Sequence, residues 1–192
     1  AMTCAHRVAA SGTKFGLPEV NVGLIPGAGG SQRAPRLFGW DAAIDMACSG
    51  MLLTAQVAQK LGAIDAIDDD ITAAAKNITL KSPTPVSDRP VAALDSDWIA
   101  EKRITLKYRA RGQAAPLHNL DALLWACEPY AKGQPKERAL HLSLRASDES
   151  RALRHAFFAE RTVSQPAEIA GAAPQDISRI AVVGGGLMGA GI

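Results

Sequence analysis

The sequence has few aromatic residues, 5% of the total, and only three cysteines, set far apart at Cys4, Cys48 and Cys127. An odd, scattered set without CxxC spacing supplies neither a disulfide framework nor a structural zinc site, and it points to a reducing compartment. Histidine is also scarce. His6, His118 and His141 have no partner at metal or triad spacing, and His155 reads as a packed or surface residue among its Ala and Phe neighbours. No charge of one sign dominates: the net charge of +2 and the lack of interleaved basic and aromatic residues exclude a nucleic-acid footprint. No apolar run reaches membrane-spanning length, no signal-peptide pattern is visible, and no internal repeat is evident. What is present, 47% hydrophobic and 21% charged residues in a chain of 192, suits a globular protein with a sizeable core, divided into one ordinary domain or two small ones.

The rest is arranged around Phe15-Gly-Leu-Pro-Glu-Val-Asn-Val-Gly-Leu-Ile-Pro-Gly-Ala-Gly-Gly-Ser-Gln-Arg33. One carboxylate, Glu19, follows a proline in an otherwise apolar run. The Gly27-Ala28-Gly29-Gly30 turn ends that run and opens a helix at Ser31. Such a turn lets backbone amides approach a ligand, and the helix N-terminus behind it presents unpaired N–H groups. A lone acid in a greasy setting beside exposed amides suits proton transfer next to a carbonyl, because burial between Pro18 and Val20 raises a carboxyl pKa.

The opening Ala-Met-Thr-Cys-Ala-His-Arg-Val reads as a helix or strand already under way, and Thr13–Gly16 as a short strand ended by Leu17-Pro18. Asp41 is the expected N-cap of a helix carrying Ile44, Ala47 and Cys48. Thr54 caps a short helix carrying Val57 and Leu61, with Gly62 at its C′ position. Residues Ala63–Ile67 form an alternating strand. Asp68-Asp69-Asp70 supplies the next cap rather than a metal site, and Ile71, Ala74, Ala75 and Ile78 make an apolar stripe. Prolines between Lys81 and Pro90 mark a linker, beyond which the sequence reads as helical. One helix carries Leu94, Trp98, Ile99 and Leu106. A second, with Pro116 near its start, carries Leu120, Leu123, Leu124 and Cys127, and a third runs from about Pro135 to Thr162. The arginine-rich side of this third helix is interleaved with acids and reads as a solvated face.

A second linker, rich in Pro, Ala and Gly, spans residues 164–176. Ile180–Val183 then reads as a buried parallel strand leading directly into Gly184-x-Gly186-x-x-Gly189. A GxGxxG alone is weak, but a preceding strand and a helix-compatible tail favour a dinucleotide site. Gly184 makes the tight turn, Gly186 admits the pyrophosphate, and Gly189 allows helix–strand contact. The amides of Leu187 and Met188 face the phosphates, while the ribose-binding acid expected about twenty residues on falls beyond Ile192. Both ends read as interrupted patterns, so an internal piece of a longer chain is expected.

Phe15–Val20 with Pro26–Arg33 resembles the second half of the crotonase superfamily, the enoyl-CoA hydratases and isomerases. Leu61-Gly-Ala-Ile-Asp65 is similar to the strand that leads out of that family's short helices. Ser150–Arg161 followed by Val182–Ile192 resembles the junction to a 3-hydroxyacyl-CoA dehydrogenase domain. The order of parts is that of the multifunctional fatty-acid β-oxidation enzymes. The resemblance implies an α/β protein in four parts. Residues 1–82 are the C-terminal part of a crotonase (ββα spiral) fold, and 83–163 a helical extension and inter-domain region. A linker covers 164–176, and 177–192 begin a Rossmann domain.

The resemblance also implies hydration of a trans-2-enoyl-CoA between two glutamates, followed by NAD-dependent oxidation of the 3-hydroxyacyl-CoA. Glu19 is the second glutamate, protonating C2, and the Gly27 backbone helps position the water. The first glutamate belongs, by count, immediately before Ala1, and the oxyanion amides lie further upstream. Neither Glu128 nor Glu137 sits in a matching motif. The implied ligands are a coenzyme A thioester as substrate and NAD as cofactor, with no metal. A thiolase partner and a monomeric parent both stay open, as do bacterial cytoplasm and, second to it, a peroxisome. Other readings are a Δ3,Δ2-enoyl-CoA isomerase, for which Glu19 alone suffices, or a thioester hydrolase, and a non-catalytic segment whose helices only dock two enzymes. On its own, the 192-residue chain is expected to show no measurable NAD binding by titration; tight binding would mean that the glycine turn needs nothing beyond Ile192.

Overall fold

The structure, a computed structural model, describes residues 1–79, 83–164, 166, 171–173, 175–187 and 189–191. Its strands are short: β1 (Val8–Ala9), β2 (Lys14–Phe15), β3 (Leu53–Thr54) and β4 (Ala66–Ile67). β1 pairs in parallel with β4, Val8 opposite Ala66, and β2 pairs antiparallel with β3, Phe15 opposite Leu53. The helices are α1 (Gly30–Phe38), α2 (Trp40–Ser49), α3 (Ala55–Lys60), α4 (Ile71–Lys76), α5 (Ser96–Ala110), α6 (Ala115–Leu124), α7 (Tyr130–Ala146) and α8 (Asp148–Val163).

Several local expectations meet the structure with small shifts. Thr54 caps α3 by accepting from the Val57 N–H, and Gly62 has φ +74°, but Val57 and Leu61 are exposed. Ala55 and Ala58 form the buried face instead, because the small side chains let this short helix lie close to β2 and β3. Asp70 caps α4 as expected. Its companions are spent locally, Asp68 on the Asp70 N–H and Asp69 on Ser11. The α4 stripe, by contrast, is only partly covered: Ile71 and Ala75 are exposed, and Ala74 and Ile78 are half-buried. Asp41 lies in the first turn of α2 and Gly39 is its N-cap, so that helix begins one residue before the aspartate. The opening residues turn as far as Ala5 rather than continuing a helix or strand. They bend around the buried Arg7 guanidinium, which donates to the carbonyls of Cys4 and Ala63. The alternating strand expected over Ala63–Ile67 shrinks to β4, with Ala63 and Ile64 both in the core.

The segment around Pro90 is tied down rather than free, although Lys81 and Ser82 lie outside the described residues. Val86 is buried, the Trp40 indole donates to the Ala92 carbonyl at 2.9 Å, and Arg36 donates to the carbonyls of Arg89, Gln32 and Glu128. The single long helix expected from Pro135 is two helices. α7 starts five residues earlier and runs through Pro135. It ends at Ser147, whose extended backbone (ψ 153°) turns the chain and whose Oγ accepts from the Ser150 N–H to open α8. Cys127 lies outside α6, exposed in a following 3₁₀ turn.

Residues 1–157 form one compact unit and 158–192 another. In the first, helices α1, α2, α5 and α6 enclose the main core, with Leu37, Phe38, Ile44, Met46, Leu120 and Leu123 among its buried members. A smaller cluster joins Leu24 and Ile25 to Ala122 and Leu144, so residues far beyond position 83 complete the packing under the glycine-rich stretch. In the second unit, Ile180–Val183 are exposed and pair with no strand among the described residues, because a buried parallel strand requires neighbours that this unit does not supply. Leu123 has no exposed surface, so Leu123→Ala is expected to cost about 2–5 kcal/mol in a denaturant melt. A loss below about 1 kcal/mol would show that this core collapses onto the cavity.

Candidate active site

Glu19 lies in a 3₁₀ turn, Pro18–Val22, that starts on the proline and ends at Gly23, whose φ of +71° reverses the chain. The Leu24 N–H donates back to the Glu19 carbonyl at 3.0 Å, locking the turn. The carboxyl is partly covered, and its Oε2 is buried with no hydrogen-bond partner. It lines a pocket of about 230 Å³ with Leu17, Pro26, Gly27, Ala28 and Arg33, closed on one side by Ala1–Thr3. Burial pushes the Glu19 carboxyl above the ordinary glutamate value; a hydrogen bond from its own backbone N–H and the nearby His141 oppose that push, and the Glu137 charge adds to it as the smallest of these effects.

From Val22, the last residue of that 3₁₀ turn, the chain runs through Gly23–Gly27, which are buried or half-buried yet neither helix nor strand, so the backbone carbonyls here need side-chain partners. Helices after residue 83 provide them. Ser150 Oγ donates to the Val22 carbonyl at 2.8 Å, and Asn119 Nδ2 to that of Leu24 at 3.0 Å. His141 Nδ1 lies 2.7 Å from the Ile25 carbonyl, and Arg138 reaches that of Gly27 at 3.4 Å. The His141 ring lies so close to Gly27 that a Cβ there would come within 2.5 Å of it.

The glycine turn is not open to ligand at all its amides. α1 begins on Gly29, at φ +83°, with no acid in its first turn and no local side-chain cap. The cap arrives from α7: the fully buried Glu137 carboxylate accepts from the Gly29 N–H at 2.6 Å, from the Ser31 N–H at 2.9 Å and from the Ser31 hydroxyl. The expectation of unpaired N–H groups facing a ligand is therefore corrected for Gly29 and Ser31. A charged acceptor at the positive end of a helix makes hydrogen bonds of about 1.5–3 kcal/mol each. Sequence reasoning missed Glu137, since it stands 106 residues from Ser31 and in no motif; it also set His141 aside.

Of the residues expected at the dinucleotide turn, Met188 lies outside the described residues. Gly184 has φ +102°, and a Cβ on Gly189 would collide with the Gly184 carbonyl. Gly186 has open space around it, and Leu187 is exposed. The Ala190 N–H closes the turn on the Gly186 carbonyl at 2.9 Å. Ile180–Val183 pair with no strand among the described residues.

A carboxyl raised above the ordinary glutamate range stands beside a glycine turn, in a pocket bounded by a few apolar residues and one arginine. The enoyl-CoA hydratase/isomerase family model matches residues 1–83. Over its whole length the chain is similar to the peroxisomal bifunctional enzyme of Danio rerio, at 36% identity over 206 aligned residues. It is also similar to the glyoxysomal fatty acid beta-oxidation multifunctional protein MFP-a of Cucumis sativus, at 33%, and to the fatty acid oxidation complex subunit alpha of Vibrio campbellii, at 34%. Each match covers 100% of this chain and 29% of the relative. The chain thus spans under a third of the length of these curated relatives.

The raised Glu19 carboxyl carries a linkage signature. The folded state prefers the protonated form, so its contribution to stability is full below the unfolded pKa and is lost as pH rises through the folded one. The stability of the wild type relative to Glu19→Gln is therefore expected to fall as pH rises from 4 to 8 in denaturant melts. A flat difference would mean that the carboxyl titrates as in the unfolded chain.

Proposed function

We propose that the full-length protein adds water syn across trans-2-enoyl-CoA thioesters, with Glu19 as the acid that delivers a proton to C2. One observation carries this reading: the Glu19 carboxyl, raised by burial and with an unpartnered Oε2, shares its pocket with Gly27. Protonating a carbon next to a thioester carbonyl needs an acid that keeps its proton near neutral pH and is open to the substrate. The Gly27 backbone helps position the attacking water. The first glutamate of the pair belongs immediately before Ala1, and Ala1–Thr3 lining the pocket supports that placement.

In this reading residues 1–82 are the C-terminal part of the crotonase domain, 83–163 its helical extension and 164–176 a linker. Residues 177–192 open a Rossmann domain in which Gly184, Gly186, Leu187, Met188 and Gly189 approach the NAD pyrophosphate. NAD would accept the hydride from the 3-hydroxyacyl-CoA formed by hydration. The similarity of the whole chain, rather than its first 83 residues alone, to multifunctional relatives supports this order of parts. The names of these relatives also support a role in fatty-acid oxidation. The placement is a bacterial cytoplasm or, second to it, a peroxisome, and the peroxisomal relative supports the latter. A second reading, Δ3,Δ2-enoyl-CoA isomerisation, is favoured by Glu19 being the carboxyl that lines the pocket, since shifting a double bond needs only one proton shuttle.

In the full-length protein, Glu19→Gln is expected to lower kcat for hydration of crotonyl-CoA by roughly 10²–10⁴-fold, followed by the absorbance of the conjugated thioester. An unchanged kcat would remove Glu19 from the chemistry. Hydration absent in the wild type, with a 3-enoyl-CoA still isomerised, would favour the second reading.

A further inference from the structure

Glu137 does not line the Glu19 pocket, and the hydration chemistry leaves it unused, yet it is a carboxylate without exposed surface in the middle of α7. Its neighbours on the same helix point to the same place. His141, four residues on and so on the same face, holds the Ile25 carbonyl and lies against Gly27, while Arg138 reaches the Gly27 carbonyl. Glu137 itself takes the Gly29 and Ser31 amides and the Ser31 hydroxyl. One stretch of α7 thus grips the site loop at Ile25, Gly27, Gly29 and Ser31.

Building on the hydration reading, we propose that Glu137 is a positioning residue for the Glu19 site. By clamping Gly29 and Ser31, it fixes the glycine turn whose Gly27 and Ala28 form the pocket wall shared with Glu19. The first turn of α1 contains no acid of its own to take these amides. The clamp has an electrostatic side as well: the Glu137 charge helps to hold the Glu19 carboxyl above its ordinary range, with His141 acting in the opposite sense and Arg33 at the pocket wall. A residue that only stabilised the fold would not couple to the titration of Glu19.

The test uses the full-length protein with crotonyl-CoA. Glu137→Gln keeps the volume but replaces a two-oxygen charged acceptor with one oxygen and an amide donor. It is expected to lower kcat by roughly tenfold or more, since small misplacements in a site are costly, while KM changes little. The alkaline fall in activity, where the Glu19 acid loses its proton, should move to lower pH. Ser31→Ala keeps the charge and removes only the hydroxyl, so it should lower kcat less and leave the alkaline limb in place. Glu128→Gln, which loses only a surface pair with Lys136, should match the wild type. Wild-type kcat and pH profile in Glu137→Gln would overturn the proposal. If that variant does not fold, Ser31→Ala decides: a lowered kcat at unchanged KM supports the clamp, and a wild-type kcat overturns it. If the wild type itself hydrates nothing, the hydration reading falls by itself. Amide exchange of the peptide spanning Gly27–Arg33 then decides: faster exchange in Ser31→Ala supports positioning by Glu137, and equal exchange overturns it.

Discussion

The structure depends on one buried charge meeting one helix end. A carboxylate without solvent is costly unless every acceptor position is used, and a helix N-terminus without a cap leaves amides unpaired. Glu137 and the first turn of α1 solve each other's problem, with three donors on one carboxylate. Removing either partner leaves the other stranded, which is why a residue on α7 is as much part of the glycine turn as the glycines themselves.

The same logic extends along the site loop. Beyond Val22 the loop to Gly27 follows no regular pattern, and Ser150, Asn119, His141 and Arg138 satisfy carbonyls of Val22 and this loop from three different helices. Three buried acceptors in this region lack a hydrogen-bond partner among the described residues: Glu19 Oε2, Gln32 Oε1 and Asn119 Oδ1. Of these only Glu19 lines the pocket, and the Leu24 N–H held on its carbonyl keeps its turn in place. The other buried reactive group shows the contrast. Burial pushes the Cys48 thiol up to about 12, and it sits in the core as an inert, apolar side chain.

Much of the local architecture was legible in the sequence. Pro18 before Glu19, the glycines before Ser31, Thr54 and Asp70 as caps, and the leucines of α6 each express a rule that acts within a few residues. Ser147 was equally legible, with an acid-rich first turn behind it, but the continuous polar pattern across it read as one helix. The site itself was half-legible. The Gly27–Ser31 turn read as a nest of amides awaiting a ligand, because the side chain that occupies two of them lies more than a hundred residues away. Long-range hydrogen bonds of this kind leave no periodicity, and a lone Glu in a helix otherwise polar at its exposed positions looks like a solvated residue until the fold buries it.

Residues beyond the family-matched segment are therefore part of the same cooperative unit as the site: the helices up to position 157 carry its core and its hydrogen-bond partners. The most direct test compares denaturant melts of residues 1–83 and 1–157, each produced alone. The account predicts one cooperative transition for 1–157 and none for 1–83. A native-like cooperative melt of 1–83 would contradict it.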